Sequence, residues 1–153
     1  MKDKKPNVVF ILSDQHRAQA MGYGGDNNVF TPNFNQLASR SVNFSTTVSN
    51  IPVCTPGRAS IITGQYPLTH GLFINDVPLD PDTNSIAKVF KQNGYDTGYI
   101  GKWHLDGHGR ENSIPENRRQ GFDFWRVFEC NHDYFNSYYY DENNKLHKWK
   151  EYD

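Results

Sequence analysis

The residues best equipped for chemistry are a cysteine, two cations, a histidine and an aspartate, each in a telling position. Cys54 stands before Thr55-Pro56, a cap-and-proline pair that predicts a helix running through Arg58 to about Ile62 and ended by Gly64. A side chain there faces free backbone N–H groups and the positive end of the helix. Arg58 lies one turn beyond Cys54 and shares its face, and its planar fork suits an oxyanion. Lys102 and His104 alternate along an extended segment and project from the same side, a point charge beside a titratable donor. Asp14 comes just after an apolar run, past the C-terminal end of a strand, where open α/β sheets bind their ligands.

Those positions depend on the elements around them. Asn7–Leu12 is a continuous apolar run rich in β-branched residues, which predicts a strand buried on both faces. Gly22–Gly25 is a turn, and Thr31-Pro32 opens a helix over about Pro32–Arg40. Val42–Val48 reads as a second strand. Ser85–Asn93 reads as an amphipathic helix with Ile86, Val89 and Phe90 inward, closed by Gly94, and Tyr95–Ile100 as a strand leading into Gly101-Lys102-Trp103-His104. Tyr138–Tyr140 and Leu146–Trp149, separated by Asp-Glu-Asn-Asn, read as a hairpin. Alternating strands and helices predict an α/β fold with a largely parallel sheet.

Two segments carry a resemblance. Cys54-Thr55-Pro56-Gly57-Arg58 with the downstream Thr63-Gly64 resembles the sulfatase signature, whose Cys-x-Pro-x-Arg core is read by formylglycine-generating enzymes. Gly57 stands where a small hydroxylated residue or alanine is usual. Gly94-Tyr95-Asp96-Thr97-Gly98-Tyr99-Ile100-Gly101-Lys102-Trp103-His104-Leu105 resembles the second sulfatase signature, whose Lys and His line the sulfate site. The resemblance implies an alkaline-phosphatase-like α/β/α sandwich. Residues 1–153 would form the N-terminal part of its catalytic domain, truncated relative to the family. In that family the aldehyde made from the cysteine is hydrated to a geminal diol, one hydroxyl attacks sulfur, and deprotonation of the other eliminates sulfate. The resemblance thus makes Cys54 the nucleophile precursor and a metal ligand through its diol. Arg58 and Lys102 hold diol and sulfate, and His104 is the candidate base for elimination. It makes Asp14 a ligand of a divalent cation, calcium by resemblance, and oxygen ligation leaves magnesium and manganese open. Many family members carry two consecutive aspartates where this chain has Asp14-Gln15, an arrangement similar to choline-sulfatase-like and phosphonate-monoesterase-like enzymes. Gln15 would offer a neutral carbonyl.

The chemistry is consistent with those residue types. A sulfate monoester is a compact anion whose leaving group departs with growing negative charge, so its hydrolysis needs a strong nucleophile, cationic clamps and an acid. The expected activity is sulfuric-ester hydrolysis on a small sulfated substrate, glycan, aryl or alkyl, with the formylglycine-generating enzyme as maturation partner. Two rivals stay open: a phosphonate or phosphodiester hydrolase of the same superfamily, and an inactive truncated copy that only binds anions. The later metal ligands and leaving-group residues of the family have no counterpart in this chain. Truncation would leave a sheet face or edge uncovered, so self-association is expected.

Composition narrows the partners. Sixteen basic against seventeen acidic residues leave a formal charge of -1, so no global field points to nucleic acid or a membrane surface. The apolar fraction of 36% is low while aromatics reach 14%, so the core should lean on Phe, Tyr and Trp. Cys54 and Cys130 are too few for a stapled scaffold. Val8–Leu12 is too short for a signal core or a membrane span, which leaves the compartment open: outside the cytoplasm if a signal was removed, otherwise within it.

Plainer readings compete at each position. A lone cysteine at a helix start is usually structural, Asp14 could be a turn residue or a cap, and Lys102 and His104 could be an exposed charge and a hydrogen-bonded histidine. His70 and His108 read as loop residues or as site members. Arg118-Arg119 and His132-Asp133 read as surface pairs or contacts to an anionic substrate, Tyr138–Tyr140 as strand packing or a sugar platform, and Cys130 as a small apolar residue.

Overall fold

A computed structural model describes residues 5–149, which fall into two compact units, Met1–Thr47 and Val48–Asp153. In the first, a 3₁₀ turn, Gly22–Gly24, leads to helix α1, Pro32–Ala38. The turn is tied to the helix by polar side chains: Gly22 N–H donates to Thr31 Oγ1 and Tyr23 N–H to Asn35 Oδ1, each at 2.9 Å. The two strands expected here, Asn7–Leu12 and Val42–Val48, do not form. Both segments are irregular and exposed, Val9 at 81% and Ile11 at 82%. A strand is held by its ladder, and among the described residues no neighbour supplies one to either run.

The second unit holds helices α2 (Cys54–Thr63), α3 (Pro67–His70) and α4 (Ile86–Gln92) and one four-stranded sheet, β1 (Gly98–Lys102), β2 (Phe124–Phe128), β3 (Tyr138–Asp141) and β4 (Leu146–Lys148). The strands lie in sequence order, with β1 parallel to β2, and β2–β3 and β3–β4 antiparallel. The sheet of this α/β fold is therefore mixed among the described residues. Its parallel pairing is the one between β1 and β2, a strand that the residue pattern does not announce, and the expected hairpin is β3–β4. The β1–β2 register runs from Gly98 opposite Phe124 to Lys102 opposite Phe128, and Trp103 N–H extends it by donating to Phe128 O at 2.8 Å.

One face of the sheet carries the core. Trp125 and Val127 alternate with Arg126 along β2 and are fully buried, and they pack with Trp103, Ile114, Leu72, Leu79, and Ala59 and Ile62 of α2. Trp103 meets Trp125 edge to face at 5.2 Å and Tyr99 at 5.0 Å, so the core leans on aromatics, as the composition implied. Ser85 caps α4, its side chain accepting from Lys88 N–H. The buried residue of that helix is Ala87, while Ile86 and Val89, expected inward, are 45% and 42% exposed. None of the helices described is long and apolar enough to cross a membrane.

Candidate active site

Helix α2 begins with Cys54 itself as the first helical residue, with extended Val53 as the cap. Thr55 therefore does not cap the helix, as its place before proline suggested. It is fully buried, its hydroxyl donates to the carbonyl of His104 at 2.8 Å, and its N–H donates to Asn75 Oδ1 at 2.9 Å. One of the backbone donors expected to face an anion is thus held by Asn75. Through Thr55, the first turn of α2 is fastened to the segment after β1.

The two distant motifs meet here. Lys102 Nζ lies 3.3 Å from Cys54 Sγ. Arg58, only 8% exposed, donates through Nη1 to the carbonyl of Lys102 at 2.5 Å and to the hydroxyl of Tyr99 at 3.2 Å. The Tyr99 hydroxyl also donates to the Lys102 carbonyl, at 2.8 Å. Part of the Arg58 fork therefore fixes the end of β1 and so aims Lys102 at the cysteine.

His104 breaks the strand alternation expected of it. Its φ of 55° is left-handed, and the ring is 2% exposed. Nε2 lies 3.0 Å from Asp76 Oδ1. Asp76 is clasped in turn by Arg110, Nε to Oδ1 at 2.9 Å and Nη2 to Oδ2 at 2.6 Å. The Arg110 fork, with help from His104, holds the Asp76 carboxyl down at about 2. Burial lowers the pKa of His104, with the nearby Lys102 charge adding to it against the opposing pull of Asp76. Asn75, Asp76 and Arg110 were not foreseen. The available signal was the Asn-Asp pair itself, since Asp76 has φ 64° and short polar residues tolerate that region.

Asp14 and Gln15 belong to the first unit, both exposed, with Gln15 at φ 33°. Together they offer one carboxylate and one amide, whereas a hard divalent cation takes about six to eight oxygens. Among the described residues no three His, Cys, Asp or Glu side chains converge. The residues described do not by themselves make a metal centre.

The other candidates have structural partners. His70 accepts from Leu72 N–H through Nδ1 and bonds Ser60 Oγ through Nε2, tying α3 to α2. His108 Nδ1 donates to the carbonyl of Asp106 at 2.5 Å, and Arg118 forms a forked pair with the Asp106 carboxylate. Arg119, 2% exposed, donates to the carbonyls of Ile114 and Glu142 and to Asn144 Oδ1. Asp133 organises an exposed turn beside His132, accepting from Phe135 and Asn136. Tyr139 stacks on His147, and the Tyr140 hydroxyl donates to the Glu111 carbonyl. Cys130 is 4% exposed and burial pushes its thiol pKa up.

Comparison with known proteins fits this geometry. The family model described as Sulfatase matches residues 6–153. An ulvan-active sulfatase of Formosa agariphila is 52% identical over 97% of this chain, which spans 29% of that protein. A crystal structure from Bacteroides fragilis, assigned as the sulfatase yidJ, superposes with TM-score 0.89 at 30% identity, covering 99% of this chain and 38% of its own. The structure of BT4656 with its substrate D-glucosamine-2-N,6-O-disulfate gives TM-score 0.83 at 32% identity, covering 97% and 28%.

Proposed function

From the premise that this chain belongs to the sulfatase family, with its α/β alkaline-phosphatase-like fold, we propose that its function is the hydrolysis of sulfuric esters, with Cys54 as the precursor of a formylglycine nucleophile. The observation that carries this reading is the approach of Lys102 Nζ to Cys54 Sγ, 3.3 Å across 48 residues of sequence. Once formed and hydrated to a geminal diol, the aldehyde side chain would supply a hydroxyl as the nucleophile, and the Cys54 sulfur stands in for that oxygen.

The chain's own residues then divide the work. Lys102 sets a positive charge beside the reacting atom and stabilises charge that builds on sulfate oxygens. Arg58 holds the Lys102 backbone in place and adds its own charge to the same face of α2. His104 holds the proton-accepting position for sulfate release. A divalent cation, calcium in our reading, would draw Asp14 and Gln15 as oxygen ligands, as the resemblance implies, together with further oxygen ligands. A sulfated carbohydrate is the substrate class we infer, supported by the glucosamine disulfate bound to a relative. Residues 1–153 are read as the nucleophile-bearing, N-terminal part of the catalytic domain. A formylglycine-generating enzyme is the proposed maturation partner. Self-association is proposed as well, supported by Ile100 and Phe124, which are 73% and 48% exposed on the sheet.

Co-expression with a formylglycine-generating enzyme tests the nucleophile assignment. Peptide mass spectrometry should find an aldehyde at Cys54 and an intact thiol at Cys130, because only Cys54 stands in Cys-x-Pro-x-Arg. An unmodified Cys54 beside a converted control sulfatase would refute the assignment.

A further inference from the structure

His104 is held by a chain of charge that the sequence motifs do not contain. The Asp76 carboxylate, ionised under its Arg110 clasp, can only accept, so the 3.0 Å contact at Nε2 requires the hydrogen to sit on Nε2. Burial, with the Lys102 charge beside it, lowers the pKa of His104 and so favours the neutral ring, in which the other nitrogen, Nδ1, carries the lone pair. That atom is fully buried and has no hydrogen-bond partner among the described residues. A buried acceptor left unpaired is costly and uncommon, and a site about to receive a proton is one reason to keep it. The ring is also anchored through its backbone, whose carbonyl accepts from Thr55, the residue after Cys54.

We infer that Asp76, braced by Arg110, is a positioning residue that fixes His104 as the Nε2–H tautomer and presents Nδ1 as the proton acceptor of the Cys54 site. The inference rests on the hydrolytic reading above for the use of that acceptor. The tautomer itself does not depend on that reading. In the step concerned, Nδ1 takes a hydroxyl proton from the converted Cys54 side chain. The electron pair of that O–H bond forms the carbonyl, and the bond to the sulfate oxygen breaks to release sulfate. His104 returns the proton to water.

The test uses the full-length protein converted at Cys54, with Asp76→Ala, Asp76→Asn, His104→Ala and the Asp76→Ala/His104→Ala pair. Two-bond ¹H–¹⁵N correlation of labelled imidazole should show His104 protonated at Nε2 in the parent, and a mixed or Nδ1–H signal in Asp76→Asn, whose amide can donate to Nε2. On an aryl sulfate, Asp76→Ala should lose about 10–100-fold in kcat with KM little changed, the usual size for an orienting partner. In the His104→Ala background the same change should cost nothing further. Additive losses, or an unaltered Nε2–H signal in both Asp76 variants, would overturn the assignment. Should Asp76→Ala fail to fold, Asp76→Asn decides both readouts. If the parent does not hydrolyse the ester, the hydrolytic reading fails, while the nitrogen spectrum still decides whether Asp76 sets the tautomer.

Discussion

At the scale of single residues, the two cations of the site have separable duties. Lys102 is half-buried with its ammonium on Cys54, whereas Arg58 is buried and bonded to the protein frame. Lys102→Ala should therefore lower kcat by about 10²–10³-fold, the scale for removing one positioned charge, with the urea midpoint nearly unchanged. Arg58→Ala should lose activity and also about 1.5–3 kcal/mol of stability, because a charged donor to buried acceptors disappears. Urea unfolding beside turnover checks both, and an Arg58→Ala variant as stable as the parent would contradict the bracing role. Cys54, Arg58, Lys102 and His104 were readable as candidates because two short motifs name them. Asp76 and Arg110 were not, since Asp76 reaches His104 across 28 residues and Arg110 reaches Asp76 across 34, through a loop whose path no periodicity encodes. Thr55 was misread because a threonine before proline is a frequent cap, yet here its hydroxyl meets the His104 carbonyl.

At the scale of elements, the β3–β4 hairpin shows how local polar chemistry holds a strand pair. Asp141 accepts from His147 Nε2 at 2.8 Å and from the N–H groups of Asn143 and Lys145 in the turn. These bonds, His147 first, pull its carboxyl from an ordinary 3.8 to about 2. A carboxyl whose folded pKa is depressed contributes its full stabilisation above the unfolded value and loses it as pH falls through the folded one. Stability should thus decline between about pH 4 and pH 2, and Asp141→Asn should decline less over that range. Urea midpoints of both proteins across the range measure it, and parallel curves would contradict the role given to Asp141. The hairpin was legible from its turn residues between aromatic runs, as were α2, α4 and β1 from caps, glycine stops and period. Asn7–Leu12 and Val42–Val48 were not, because an apolar β-branched run states a preference for burial without naming the strand that would pair with it.

At the scale of the molecule, the two units differ in what they bury. All the residues buried among those described lie in Val48–Asp153, whose core is built on Trp103 and Trp125, while residues 5–47 contain none. The α/β class was legible from the alternation of elements and the antiparallel β3–β4 pair from its turn, whereas β2 and its antiparallel pairing with β3 were not, since strand direction follows from connections that a residue pattern does not specify. The chain spans 29% of the ulvan-active sulfatase it resembles. Its motifs speak to the reacting group, and substrate choice depends on residues that no motif here names. The central claim, sulfate-ester hydrolysis at Cys54, is tested most directly by kcat/KM of the converted full-length protein on a matched aryl sulfate and aryl phosphonate, with Cys54→Ala as control. The account predicts a clear preference for the sulfate and no turnover by Cys54→Ala. A preference for the phosphonate, or sulfate hydrolysis that survives loss of Cys54, would contradict it.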